Sequence, residues 1–215
     1  MKTEMKVLIA CEESQTVCKA FRRLGHEAYS CDILDCSGGH PEWHIKGDAL
    51  KEAYSGKYDL MIAHPPCTYL SVSGLHWNKR QPERSLKTEL ALEFVQKLMD
   101  APIDKIAIEN PISCISSRIR KPEQIIQPYE FGDDASKKTC LWLKNLPLLK
   151  PTKFIEPRIV HGKKRWSNQA DDGQNRDTRT GKVLAWNSAE IKTLRSKTYQ
   201  GIADAIADQW GKIND

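Results

Sequence analysis

Short apolar runs alternate with helix-period stretches along most of the chain. Lys6 to Ala10 fits one buried strand, and the segment after it places Val17, Ala20, Phe21 and Leu24 on one helical face. Ser14 is the expected N-cap of that helix and Gly25 its stop. His26 to Cys31 predicts a second strand, ending at Asp32, and Tyr58 to Ala63, Lys105 to Ile108 and Thr139 to Leu143 predict three more. Leu86, Leu90, Phe94 and Leu98 recur at helical spacing between the third and fourth strands. Ile202, Ile206 and Trp210 do so near the end. Such alternation predicts an α/β fold, a mostly parallel sheet with helices on both faces.

One stretch carries chemistry. Asp59 opens the apolar run Leu60 to Ala63, and His64-Pro65-Pro66-Cys67 follows at once. The prolines cannot continue a ladder, so the chain leaves the sheet there. Cys67 then sits just past the carboxyl end of a strand, where open α/β sheets place their ligands. Such a cysteine is a nucleophile if its thiolate is stabilised, and a small apolar side chain otherwise. A second strand, Ile106-Ala107-Ile108, ends on Glu109-Asn110-Pro111. Neighbouring strand ends would bring the thiol and the carboxyl group to one edge of the sheet. Asp32, at the end of the second strand, stands where nucleotide-binding βαβ units carry a ribose-binding carboxylate. Taken singly, Asp32 and Asp48 each read more readily as a turn or cap residue.

Composition narrows the class. The 215 residues suit one domain with room for a small lobe, and 40% of them are hydrophobic, enough for a core. No apolar run approaches the ~20 residues of a membrane helix. The charged start, Met1 to Lys6, is unlike a secretory signal. The seven cysteines show no Cys-x-x-Cys pairing, which argues against zinc and for reduced thiols in a cytoplasm. The net charge of +5 is compatible with nucleic acid. Between Lys150 and Lys182 there are nine Lys and Arg against four acids, so this loop-rich segment accounts for the whole net charge. Trp166 stands there beside Lys163, Lys164 and Arg165, a pattern that can stack a base and meet phosphates, or be an ordinary solvated loop.

Pro65-Pro66-Cys67 and Glu109-Asn110-Pro111 resemble the Pro-Cys and Glu-Asn motifs of DNA (cytosine-5) methyltransferases. The resemblance implies a Rossmann-like S-adenosylmethionine-dependent methyltransferase fold. It implies that Cys67 attacks C6 of cytosine while Glu109 serves the N3 edge. Lys137 and Lys138 stand where the family carries arginines that reach the cytosine O2 and the phosphate, and are implied catalytic residues. Asp48 resembles the acid at the adenine end of S-adenosyl-L-methionine. Glu12, Glu13, Ser14, Asp32 and Pro65 complete the implied cofactor site, although Ala10 to Gln15 lacks the family's glycines. Tyr199 to Asp204 approximates the closing motif that packs beside the cofactor.

The organisation implied is a catalytic core over 1–149, a short basic target-recognition insert over 150–190 and a closing helix over 191–215. The implied partner is DNA, with the cytosine flipped from a duplex, and Lys163, Lys164, Arg165 and Trp166 as contacts. The compactness is similar to that of phage and prophage members. Two other readings stay open: a C5-modifying enzyme of free cytosine nucleotides, and a catalytically silent DNA-binding protein on the same fold.

Overall fold

The computed structural model describes residues 4–177, 180–185, 196 and 198–212. Seven strands form one sheet: β1 (Lys6–Ala10), β2 (Glu27–Asp32), β3 (His44–Lys46), β4 (Leu60–Ala63), β5 (Lys105–Pro111), β6 (Gln124–Ile126) and β7 (Thr139–Lys144). Their order is β3-β2-β1-β4-β5-β7-β6. The first five are mutually parallel, and β7 runs antiparallel between β5 and β6. The order reverses at β1 and β4, which makes their carboxyl ends the switch point where such sheets bind ligands.

The apolar strands have both faces covered. Val7, Ile9, Leu60 and Ile62 point to one side, with α1 (Thr16–Arg23) and α6 (Gln200–Trp210). Leu8, Met61, Ala63 and Ile108 point to the other, with α2 (Ala49–Ala53), α4 (Pro82–Met99) and α5 (Ile115–Arg118). A four-residue α3 (Val72–Leu75) precedes α4. Gly25 closes α1 at φ 85°, and its amide donates to Arg22 O at 2.9 Å.

Two helical expectations need correction. The N-cap position of α1 is Gln15, at φ 58°, while the Ser14 hydroxyl pairs with Thr16 Oγ1 at 3.2 Å. In α4 the buried positions are Thr88, Leu92, Val95 and Leu98, and Leu86 and Leu90 are exposed. Thr88 faces inward because its hydroxyl donates to Tyr69 O and accepts from Asn78 Nδ2.

The segment after residue 150 forms a hairpin, β8 (Arg158–Val160) and β9 (Lys163–Arg165). His161 and Gly162 turn it, both at positive φ as a two-residue turn requires. The segment is tied to the core beside β7. Ser136 and Asn168 exchange two hydrogen bonds, Asp134 accepts from Ser167, and Asp133 accepts from the Gly201 amide. Among the described residues no helix is long and apolar enough to cross a membrane.

Candidate active site and cofactor cleft

The register Ala63↔Ile108 sets the ends of β4 and β5 side by side. The residues that follow are therefore neighbours: His64 beside Glu109, with the Pro65-Pro66-Cys67 loop beyond. Asn110 fastens the two ends. Its Nδ2 donates to Pro65 O at 2.7 Å in a buried position. Past Cys67 the chain is pinned again: the Leu70 and Ser71 amides donate to Cys67 O, and the Cys114 amide donates to Leu70 O. Arg84 and Thr88 of α4 donate to Thr68 O and Tyr69 O. Cys67 itself is half-buried and forms no disulfide.

His64 was not expected from the sequence. Its Nδ1 lies 2.7 Å from Glu109 Oε2, and both side chains are nearly buried. Burial alone would discharge the imidazole. The hydrogen bond and charge of Glu109, with Glu12 behind, outweigh it and hold His64 above its ordinary value, Lys137 opposing. Burial likewise works against ionised Glu109. The hydrogen bond from His64, its charge and that of Lys137 prevail and hold the carboxyl below its usual range. Both shifts run the same way and favour a charged imidazole hydrogen-bonded to an ionised carboxyl. The parallel alignment of two strand ends was the available signal for it.

Lys137 is therefore electrostatically coupled to the site, and its amide donates to Gln127 Oε1 at 2.9 Å. Lys138 is exposed.

A cleft of about 680 Å³ opens over the carboxyl ends of β1, β2 and β4, in the size range of small-molecule sites. Asp32, Asp48 and Pro65 line it, with Ile33, Leu34, Tyr69 and Phe94 as apolar walls. The two carboxylates also shape their own backbone. Asp32 accepts from the Leu34 amide, and Asp48 caps α2 through the Leu50 amide, both at 2.9 Å. A largely apolar cavity rimmed by two acids and Lys87 suits a ligand with a flat body and hydroxyl groups, as the adenosine of S-adenosylmethionine has. Cys11 also lines the cleft, its thiol pushed up to about 12 by burial, then by Asp32.

The remaining implied cofactor residues lie elsewhere. Glu12, 4% exposed, turns inward and accepts from the Val17 and Cys18 amides at 2.7 and 3.2 Å. It caps α1 from within the protein, and its carboxyl is pushed up by burial against the pull of His64 and those amides. Glu13 accepts from Ser37 through its backbone and its carboxylate. Neither acid nor Ser14 lines the cleft. The closing helix α6 packs on α1, across the sheet from α2 and α4, and Asp204 pairs with Arg23.

The basic segment is divided. Lys163 and Lys164 are exposed on β9, while Arg165 leans on Asp171 O at 3.4 Å. Trp166 is 7% exposed, stacks on Tyr129 at 4.2 Å and donates its Nε1 proton to Ile155 O. Its ring is spent on internal packing, so the expected base-stacking role does not fit it. Arg179 lies outside the described residues.

Taken together, the strand order and the cleft at its switch point are those of a Rossmann-like α/β fold. No family model matches the chain, and no curated protein matches it. Among solved structures, partial similarities of low identity are found. One is Dnmt2 methyltransferase of S. pombe, 16% identical over 68% of this chain and 51% of that one, with a TM-score of 0.45. Another is the Entamoeba histolytica methyltransferase EhMeth, 17% identical over 72% and 58%, with a TM-score of 0.48. A DNMT2 mutant of Spodoptera frugiperda is 14% identical over 78% and 59%, with a TM-score of 0.42. The chain thus spans between 51% and 59% of those chains' own length.

Proposed function

We propose that this protein transfers a methyl group from S-adenosylmethionine to C5 of cytosine in DNA, through a covalent bond between Cys67 and C6. The observation that carries the reading is the juxtaposition of the two motif-bearing strand ends: Ala63 pairs with Ile108, and Asn110 bonds to Pro65 O beside Cys67. A thiol and a carboxylate fixed on one sheet edge, next to a cleft, are what addition at C6 demands. The ring accepts a nucleophile there only if the charge it gains is stabilised. Cys67 makes the bond to C6, Glu109 serves N3, and the charge of Lys137 lies close enough to bias Glu109. Asp32 holds the ribose hydroxyls of the cofactor and Asp48 its adenine end in the cleft, with Pro65 at its border. When bound there, S-adenosylmethionine supplies the electrophilic methyl group. Lys163 and Lys164 supply contacts to the DNA backbone, and so few side chains beside them make sequence recognition short or loose.

The test is covalent trapping. Duplex DNA containing 5-fluorocytosine should form a stable complex with the wild type in the presence of cofactor, because fluorine cannot leave C5 as a proton does. Cys67→Ser should form none. Equal trapping by the variant would sink the assignment. One observation favours a second reading, a silent DNA-binding protein: Glu12 occupies amides of α1 that cofactors meet in related architectures. Calorimetry separates the two, since only the enzyme binds S-adenosylmethionine.

A further inference from the structure

We propose that His64 is the positioning and proton-holding partner of Glu109, a buried imidazole through which the carboxylate hands a proton to N3 of cytosine and takes it back. This deepens the reading above and rests on it.

The geometry comes first. His64 directly follows β4 and sits beside Glu109 of the adjacent parallel β5, with Nδ1 and Oε2 2.7 Å apart, a charge-assisted distance. Three ionisable groups act on the imidazole from three elements: Glu109 within β5, Glu12 in the loop after β1 and Lys137 in the loop before β7. When all four are ionised, the two acids and two bases cancel, so the cluster holds a charged imidazole without a net buried charge. Among the described residues, His64 Nε2 is buried with no hydrogen-bond partner. The bond to Glu109 and the charges of Glu109 and Glu12 favour its charged form, and Lys137 opposes it. A histidine kept only for packing would instead rest neutral, because burial penalises its charged form.

The chemistry needs such a partner. A carboxylate that rests ionised has no proton to give, yet N3 becomes basic as soon as sulfur adds to C6. As the S–C6 bond forms, the electron pair of the C5–C6 double bond moves into the ring toward N3. Nδ1–H then passes its proton to Glu109, and Glu109 passes one to N3. His64 is left neutral and Glu109 is again a carboxylate. Once C5 has taken the methyl group, it loses its proton to solvent and the C6–S bond breaks with the electron pair returning to Cys67. The N3 proton of the product goes back to Glu109 and His64. The pair ends as it began, and the net change is one methyl gained and one proton released.

The experiment is single-turnover methyl transfer to duplex DNA across about pH 5 to 9, with wild type, His64→Asn and His64→Gln. Asparagine can still donate to Glu109 but holds no titratable proton. The wild-type rate should be level through neutral pH and fall as the pair loses its proton at higher pH. His64→Asn should be slower by about 10²–10⁴ at neutral pH and lack that fall. Adding Glu109→Gln to His64→Asn should cost nothing beyond Glu109→Gln alone, because the two act as one unit. A His64→Asn profile that keeps the wild-type fall, or fully additive losses, would overturn the proposal. Nitrogen-labelled histidine in the intact wild type decides the matter if both variants fail to fold: His64 should be protonated at neutral pH, and a neutral ring would overturn it. A wild type inactive at every pH and untrapped by 5-fluorocytosine would overturn the proposed function itself, an outcome distinct from either.

Discussion

Asn110→Ala tests whether the two strand ends must be tied. Asn110 is 2% exposed, and its Nδ2 donates to Pro65 O at 2.7 Å. Removing the donor leaves a buried carbonyl unpaired, at a cost of about 1–3 kcal/mol. Part of that is offset. Asn110 Oδ1 is already buried without a partner, and its removal relieves an existing penalty. The net loss is therefore expected near the low end, about 1–2 kcal/mol. For a chain of this size that lowers the melting temperature by roughly 2–8 °C. The loop carrying Cys67 then loses a buried side-chain tie to β5, and a shift of ~1 Å in a reacting group costs ~10²-fold in rate. Thermal unfolding and the rate of covalent trapping on 5-fluorocytosine DNA should thus part company, with a small loss of stability and a large loss of rate. Asn110→Asp should be worse than alanine at neutral pH, since a carboxylate faces the carbonyl oxygen with no donor. Wild-type trapping by Asn110→Ala would refute the view that this bond positions the thiol.

The cofactor cleft, the basic hairpin and the buried ion pair each give one further prediction. Asp32→Ala and Asp48→Asn should each weaken S-adenosylmethionine binding by about 1.5–3 kcal/mol in calorimetry, asparagine being chosen so that α2 keeps its cap; unchanged affinity in both would mean the cleft is not the cofactor site. Replacing Lys163, Lys164 and Arg165 by Ala should weaken binding to all DNA sequences alike and flatten the plot of log affinity against log salt by roughly 0.9 for each phosphate no longer neutralised. An unaltered slope would place the DNA surface elsewhere. For pH, the raised His64 contributes stability that is complete below about 6.5 and is lost as pH rises through its folded value, whereas the lowered Glu109 contributes stability that is complete above about 4.3 and is lost as pH falls through its folded value. The stability difference between wild type and Glu109→Gln should therefore peak between about pH 4.3 and 6.5 and shrink on either side; a difference flat with pH would mean the pair is not ionised.

The long apolar strands were legible because burial on both faces leaves an uninterrupted run, as in Leu60 to Ala63. The Cys67 and Glu109 strand ends were legible because proline marks each exit from the sheet. What escaped is short or non-local. β3 and β6 have three residues each, and His44-Ile45-Lys46 carries no period at all. The stripe on α4 misled because Leu86 and Leu90 share a helical face with Phe94, which lines the cleft, whereas the face that packs the sheet includes a threonine satisfied by Tyr69 and Asn78. Trp166 misled for the opposite reason. Its sequence neighbours are cations, but its stacking partner is Tyr129, far upstream, and no local pattern reveals that pairing.

The glycine-free first loop illustrates how the requirement for glycine can move. A chain turning from β1 into α1 needs left-handed backbone, and here Cys11 and Gln15 supply it at φ 60° and 58°. Each non-glycine residue in that region costs of order 1–2 kcal/mol. The loop offsets this with polar contacts. Glu12 caps α1, and Gln15, fully buried, bonds to both His40 N and His40 O across the neighbouring loop. That clasp brings the second loop so close that a Cβ on Gly38 would lie 2.5 Å from Gln15 Cβ and from Ser14 O. Close approach thus demands glycine at residue 38. With the α1 amides of Val17 and Cys18 already taken by Glu12, little of that helix terminus is left for a ligand anion. Binding must then draw on the acids at the ends of β2 and β3 and on the apolar walls between them. That is why the loss expected for Asp32 and Asp48 is larger than a peripheral contact would give.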